Sequence, residues 1–213
     1  MHSPRIIGYG TCGPGEAARF MRDTLNEFDR LCDETLILVN CPPGADVDPE
    51  IALIEEFGFH WTRDTREWGK LQWKIKQDFI ETHVAALARE GDVMVCLDMD
   101  ERFDRHLTKD WLRSMPFDAY KVFIVDLWND EAHYKPESCF WNTRIWRWTG
   151  VTEWIAKPVH CGLAPRWAVA YNRYASFILV HKGLMRKADR ERKIARYEKY
   201  DPYAIHLGKP YYA

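Results

Sequence analysis

Apolar positions follow two rhythms over the first hundred residues. "PRIIGYGTC" (4–12), "ETLILVNC" (34–41), "FHWTRD" (59–64) and "DVMVCLD" (92–98) are short, dense apolar runs bounded by turn residues, the pattern of strands. The run at 34–41 is continuously apolar, which predicts a strand buried on both faces. Between these runs apolar residues recur at helical spacing. Ala17, Phe20, Met21, Leu25, Phe28 and Leu31 predict a helix with Glu16 in its first turn. Residues 51–58 predict a short helix with a glycine stop, and residues 67–91 a long one closed by Gly91. The order β-α-β-α-β-α-β is that of an open α/β sheet, whose ligands bind outside the carboxyl ends of the strands.

Past residue 104 the rhythm changes. A short helix begins at Thr108, followed by strands at 119–129, 139–150 and 174–183, a loop-rich stretch before the last of these, and a strongly charged helix at 185–203. Neither an internal repeat nor a linker divides the chain, so one α/β domain is expected.

The strand "VMVCLDMDERF" (93–103) raises a chemical question. A charged strand end can be nothing more than the chain leaving the core. Asp98, Asp100 and Glu101, however, place three acids within four positions, where like charges repel. A cation lowers that cost, and oxygen ligands suit hard ions such as Mg2+ or Mn2+. Thr11 and Asn40 stand at the ends of the first two strands, at the same edge of the sheet.

Composition narrows the classes. At 213 residues and 46% apolar, the chain can bury a sizeable core. A net charge of −2 gives no global attraction for nucleic acid. Six cysteines without a CxxC pair read as reduced thiols, which points to a cytoplasmic protein, neither disulfide-framed nor zinc-framed. No run approaches a membrane span, and the N-terminus lacks the apolar stretch of a signal peptide. The 10 tryptophans divide between core and possible binding platforms, Trp141, Trp146, Trp148 and Trp154 among them.

Taken in order, these segments resemble the family 2 glycosyltransferases of the GT-A fold. The residues that carry the likeness are "TLNEFDRLCDETLILVN", "WKIKQDFIETHVAALAREGDVMVCLDMDE", "WNTRIWRWTGVTEWIAKPVH" and "LVHKGLMRKADRERKIARYEKYDP". The resemblance implies a GT-A-like, Rossmann-type mixed sheet flanked by helices. Residues 1–104 would be the nucleotide-sugar-binding half with its D-x-D, and 105–213 the acceptor-side half of the same domain. It implies a UDP or GDP sugar donor, a carbohydrate or other hydroxyl acceptor, and Mn2+ or Mg2+. Asp98 would lean toward ribose and sugar, Asp100 would bind the ion, and His181 would be its second protein ligand. Alternation along an extended chain would put Asp98 and Asp100 on one side. Thr11 and Asn40 would hold the nucleoside, and Arg66 and Lys70 would reach the diphosphate. An acceptor hydroxyl must lose a proton if the reaction inverts. Asp126, Asp130, Glu131 and Glu153 are the acids available, with Asp130 and Glu131, in a loop after a strand, preferred.

The chain departs from the family at two places. Asn40 stands where an Asp is usual, and Cys161 follows Val159-His160 where Glu is usual. Those departures keep open a non-catalytic nucleotide-sugar-binding module. A phosphohydrolase using Asp98 as nucleophile is a further alternative, but 97 residues precede its motif and no later GDxxxD occurs. The helix from Arg186 to Lys199 also carries Asp189, Glu191 and Glu198. It reads as a solvated face with i,i+4 pairs, or alternatively as a contact for diphosphate.

Overall fold

The computed structural model describes residues 3–153 and 162–200; the side chains of Lys70, Tyr197 and Tyr200 also fall outside the described set. Trp154, His160, Cys161 and residues 201–203, all considered above, lie outside it too.

The strands are β1 (Ile6–Cys12), β2 (Glu34–Asn40), β3 (His60–Asp64), β4 (Val93–Asp98), β5 (Glu101–Phe103), β6 (Ala119–Asp126), β7 (Phe140–Arg147) and β8 (Arg173–His181). They form one sheet in the order β3-β2-β1-β4-β7-β6-β8-β5. The first four are mutually parallel. β7 runs antiparallel to both β4 and β6, β6 and β8 are parallel, and β5 closes the far edge antiparallel to β8. The result is a mixed α/β sheet that runs without a break through both halves of the chain, because β4 of the first half pairs with β7 of the second; β5, also from the first half, is added at the far edge.

Alternation along the strands divides the core into two layers. Ile6, Ile37, Val39, Val95 and Leu97 meet α1 (Met21–Leu31), α2 (Asp48–Glu56) and α5 (Lys109–Ser114) on one face. Ile7, Tyr9, Leu36, Leu38, Met94 and Cys96 meet α3 (Trp68–Phe79) on the other. Gly8 lets α1 approach: a Cβ there would stand 2.6 Å from Phe28 and 2.7 Å from the Cys32 sulfur. Thr108 caps α5 by accepting the Trp111 amide at 3.2 Å.

The elements differ from expectation where packing or a turn intervenes. Helix α1 starts at Met21, not Glu16, because the Gly13-Pro14-Gly15 stretch turns, with Gly15 at φ 82°. Glu16 is thereby left in a loop. The long helix expected over 67–91 breaks into α3, one π-helical turn (Ile80–Val84) and α4 (Ala85–Leu87). An unbroken α-helix would turn Val84 about 180° away from Ile75. The wider π turn keeps Ile75, Phe79, Ile80 and Val84 all on the buried side. Strand β6 ends at Asp126, short of residue 129, and Asn129 takes a left-handed φ of 69°. β5 and the short α6 (Arg166–Ala170) have too few residues to show a period. The charged helix is α7 (Lys187–Tyr200).

Candidate functional site

Strand register assembles the site at the carboxyl ends of the parallel strands. Thr11 of β1 lies beside Asp98 of β4. Asp126 of β6 and Glu101 of β5 each lie beside His181 of β8. The Lys182 amide donates to the Asp100 carbonyl at 2.8 Å, tying the turn after β4 to the end of β8. A cavity of about 970 Å³ opens at this edge, and Thr11, Asn40, Asp98, Asp100, Asp126 and His181 all line it.

His181 is held on both sides. Its Nδ1 donates to Asp126 Oδ1, in a very short hydrogen bond, and its Nε2 stands 3.4 Å from Asp100 Oδ2. Asp126 is buried and fixes the ring. Burial alone would lower the His181 pKa, but the Asp100 charge and the hydrogen bonds to both carboxylates push it up to about 10. For Asp100, burial works upward, and the His181, Lys193 and Arg19 charges hold it well below the usual carboxylate range. Gly183 leaves the space in front of this pair open. A Cβ there would lie 2.3 Å from Asp100 Oδ2 and 2.6 Å from His181 Nε2.

The other two acids of the motif behave differently. Asp98 ends β4 while residues 99–100 form a turn, so strand alternation does not carry on to Asp100. Asp98 pairs with the Arg144 guanidinium at 3.2 Å. Glu101 is a buried strand residue that receives two hydrogen bonds from Arg144, at 2.5 and 2.8 Å, and accepts the Asp98 amide at 3.0 Å. With Arg144 and Glu101 both almost fully buried, loss of one partner would strand a charge at a cost of about 3–5 kcal/mol. Glu101 is therefore a floor support. Glu16 also lines the cavity; burial, together with the Asp100 and Asp98 charges, raises its pKa to about 8. Its Oε2 accepts no hydrogen bond from any described group.

Positive charge faces the acids from α7. Arg192, Lys193 and Arg196 line the cavity, so one face of this helix borders it, with Arg192 and Arg196 still exposed to solvent. The helix is anchored by Asp189, whose side chain is buried and pairs with Arg19 at 3.1 Å and with Arg192. Arg190 donates to the Leu184 and Met185 carbonyls and covers the Trp128 ring at 4.1 Å.

The remaining expected residues fall as follows. Thr11 and Asn40 are buried cavity residues, and the Asn40 Nδ2 donates to the Asp64 and Arg66 carbonyls. Arg66 does not line the cavity: its guanidinium is bound to Asp64 at 2.5 Å and Asp78 at 2.7 Å. The Lys70 side chain is outside the described residues. Asp130 and Glu131 do not line the cavity either. Asp130 accepts hydrogen bonds within its own loop from Ala132 and His133, and Glu131 pairs with Lys182 and Arg102. Glu153 pairs with Arg166 on the surface. From the segment after β6, Glu137 is the acid that lines the cavity. Sequence reasoning also missed Arg144 and Gly183. Each left a trace, Arg144 as a charge at an inward position of an alternating strand and Gly183 as the glycine that ends "LVHKG".

Among the described residues, no three His, Cys, Asp or Glu side chains converge as a ready-made metal cage. The donor set suits a different arrangement. Asp100 Oδ2 and His181 Nε2 are adjacent, the imidazole is backed by a carboxylate as metal-binding histidines usually are, Gly183 keeps the approach clear, and a cation would take the place of the Nε2 proton that faces Asp100. Two protein donors fit an ion that takes its other ligands from phosphate oxygens and water.

No protein-family model matches the chain, and no curated protein matches it by sequence. Several solved structures are similar to it at low identity. A Bacillus anthracis protein described as a glucose-1-phosphate thymidylyltransferase is 9% identical over 90% of this chain and 95% of its own, with a TM-score of 0.49. TarS of S. aureus is 10% identical over 92% of this chain, which spans 40% of TarS, with a TM-score of 0.43. A nucleotide-diphospho-sugar transferase of Desulfovibrio desulfuricans G20 is 10% identical, covering 94% and 93%, with a TM-score of 0.38. Likenesses at this level carry nothing about function.

Proposed function

We propose that this chain is a metal-dependent transferase that moves a sugar from a nucleoside diphosphate sugar to an acceptor hydroxyl. The observation that carries the reading is the adjacent Asp100–His181 pair, kept open by Gly183 and faced across the cavity by Arg192, Lys193 and Arg196. A diphosphate carrying a divalent cation would match both walls, the cation toward Asp100 and the phosphate oxygens toward the α7 cations.

When bound, Mn2+ or Mg2+ would neutralise negative charge developing on the departing diphosphate. The protein's own groups do the rest. Asp126 orients His181 so that Nε2 is presented to the cavity. The α7 cations and Arg19 bind and orient phosphate oxygens, where charge-assisted hydrogen bonds are strongest. Arg144 holds Asp98 at the rim, where Asp98 can accept from sugar or ribose hydroxyls. Thr11 and Asn40 flank the nucleoside. For the acceptor proton, Asp130 and Glu131 stand outside the cavity wall and Glu137 within it, so we assign deprotonation to Glu137.

Titration calorimetry tests the reading. GDP or UDP binding should weaken at least about 100-fold when Mn2+ is replaced by EDTA, and Asp100→Asn should abolish the metal effect. Equal affinity with and without metal would defeat the proposal. In the transfer assay Glu137→Gln should lower turnover about 100-fold with donor affinity unchanged, and Asp130→Asn should not. The reverse ranking would return the base to the loop.

A further inference from the structure

The cavity extends toward β2 and α3. This end lies between the carboxyl end of β2 and the first turns of α3, walled by Thr11, Asn40, Pro42, Trp68, Gln72 and Lys76. Leu36, Leu38 and Asn40 alternate onto one face of β2. Ile75 and Phe79 pack on that face with Leu36 and Leu38. Gln72 precedes Ile75 by three residues on the same helical stripe, one turn nearer the carboxyl ends of the strands. The two carboxamides, Asn40 and Gln72, therefore meet at the same end of the cavity.

Both are more than nine-tenths buried, at 4% and 7% exposure. The Asn40 Nδ2 donates to two backbone carbonyls, Asp64 at 3.3 Å and Arg66 at 2.9 Å. That pairing fixes the orientation of the amide, since a flip would set Oδ1 against those carbonyls. What Asn40 retains is an acceptor. Gln72 Oε1 is buried, and no described group donates to it. A buried acceptor without a donor is costly, and a ligand N–H relieves it.

We infer that this end reads a nucleobase and selects guanine. The inference rests on the nucleotide-sugar reading above and deepens it. Two neighbouring acceptors call for two neighbouring donors. Guanine offers N1–H and N2–H2 side by side on its pairing edge. Uracil and thymine offer one N–H between two carbonyls, and adenine and cytosine set a ring acceptor beside their amino group. Presented by its pairing edge, each of these other bases turns an acceptor toward one of the carboxamide oxygens, and the site's polar atom stays unpaired. Trp68 flanks the pocket with an aromatic ring on which a base can stack. The Lys76 ammonium stands 5.5 Å from the Trp68 ring centre at the same wall, and guanine O6 is an acceptor.

Calorimetry on the full chain with Mn2+ and five probes, GDP, IDP, UDP, ADP and CDP, tests this. GDP should bind roughly 10- to 100-fold more tightly than UDP, ADP or CDP, and IDP, which lacks the 2-amino group, about tenfold more weakly than GDP. Gln72→Leu should bring GDP to within about threefold of UDP, while its unfolding midpoint holds or rises because an unpaired buried oxygen is gone. UDP binding as tightly as GDP, or IDP equalling GDP, overturns the base assignment, and the IDP comparison needs no variant to fold. If the five bind alike, only this inference fails; if none binds, the transferase reading fails and takes this one with it.

Discussion

At the scale of single residues, the account turns on Gly183. Its φ is not in the left-handed region, so its value is space and not backbone freedom. Gly183→Ala puts a methyl in front of Asp100 and His181. We expect nucleotide affinity in Mn2+ to fall to its value in EDTA, with unfolding free energy lowered by about 1–3 kcal/mol as the paired Asp100 and His181 are pushed aside. Calorimetry and urea unfolding on one preparation check both halves. A second residue-scale prediction concerns Arg66, expected at the diphosphate and found tied to Asp64 and Asp78. Burial would raise the Asp64 pKa, but the side-chain and backbone hydrogen bonds from Arg66 and its charge lower it below the usual 3.8. A depressed carboxylate contributes stability that is present above its unfolded pKa and lost as pH falls through its folded one. Wild type should therefore exceed Asp64→Asn by about 1 kcal/mol at neutral pH, a gap that closes in acid below the ordinary range. Urea titrations at stepped pH would show it; a constant gap would contradict the pairing.

At the scale of elements, the strands were legible because each is a dense apolar run, and β1 to β4 are read within a residue or two. The acids at the end of β4 were legible as a cluster, but not their division of labour. Glu101 looked like a third member of the motif. It is a three-residue strand's buried end, and its partner Arg144 lies 43 positions away, beyond the reach of any local pattern. The break in the 67–91 helix was hidden for the same reason: tertiary packing of Val84 selects the π turn, and local periodicity does not announce it. Helix α7 shows the limit of charge counting. Its mixed charges predict a solvated face, yet the subset at 192, 193 and 196 lines the cavity. If that wall holds diphosphate, Lys193→Gln with Arg196→Gln should weaken GDP binding about 10- to 100-fold at low salt and flatten its salt dependence. An unchanged salt slope would return α7 to the role of a surface helix.

At the scale of the whole molecule, one sheet carries the site from two halves of the chain. The first half supplies Thr11, Asn40, Asp98 and Asp100 from parallel strand ends, and the second supplies Asp126, Arg144 and His181 from strands of mixed direction. The halves join where β4 pairs with β7, and β5 pairs with β8 at the far edge, which sets Glu101 beside His181. The described residues contain no helix long and apolar enough to cross a membrane. Everything functional in this account depends on whether a divalent ion sits between the turn after β4 and the end of β8. The most direct measurement is anomalous diffraction from crystals soaked with Mn2+ and GDP. The account predicts one manganese peak about 2–2.3 Å from both Asp100 Oδ2 and His181 Nε2, with diphosphate oxygens completing the shell. An empty position there, with Asp100 and His181 still paired to each other, would contradict it.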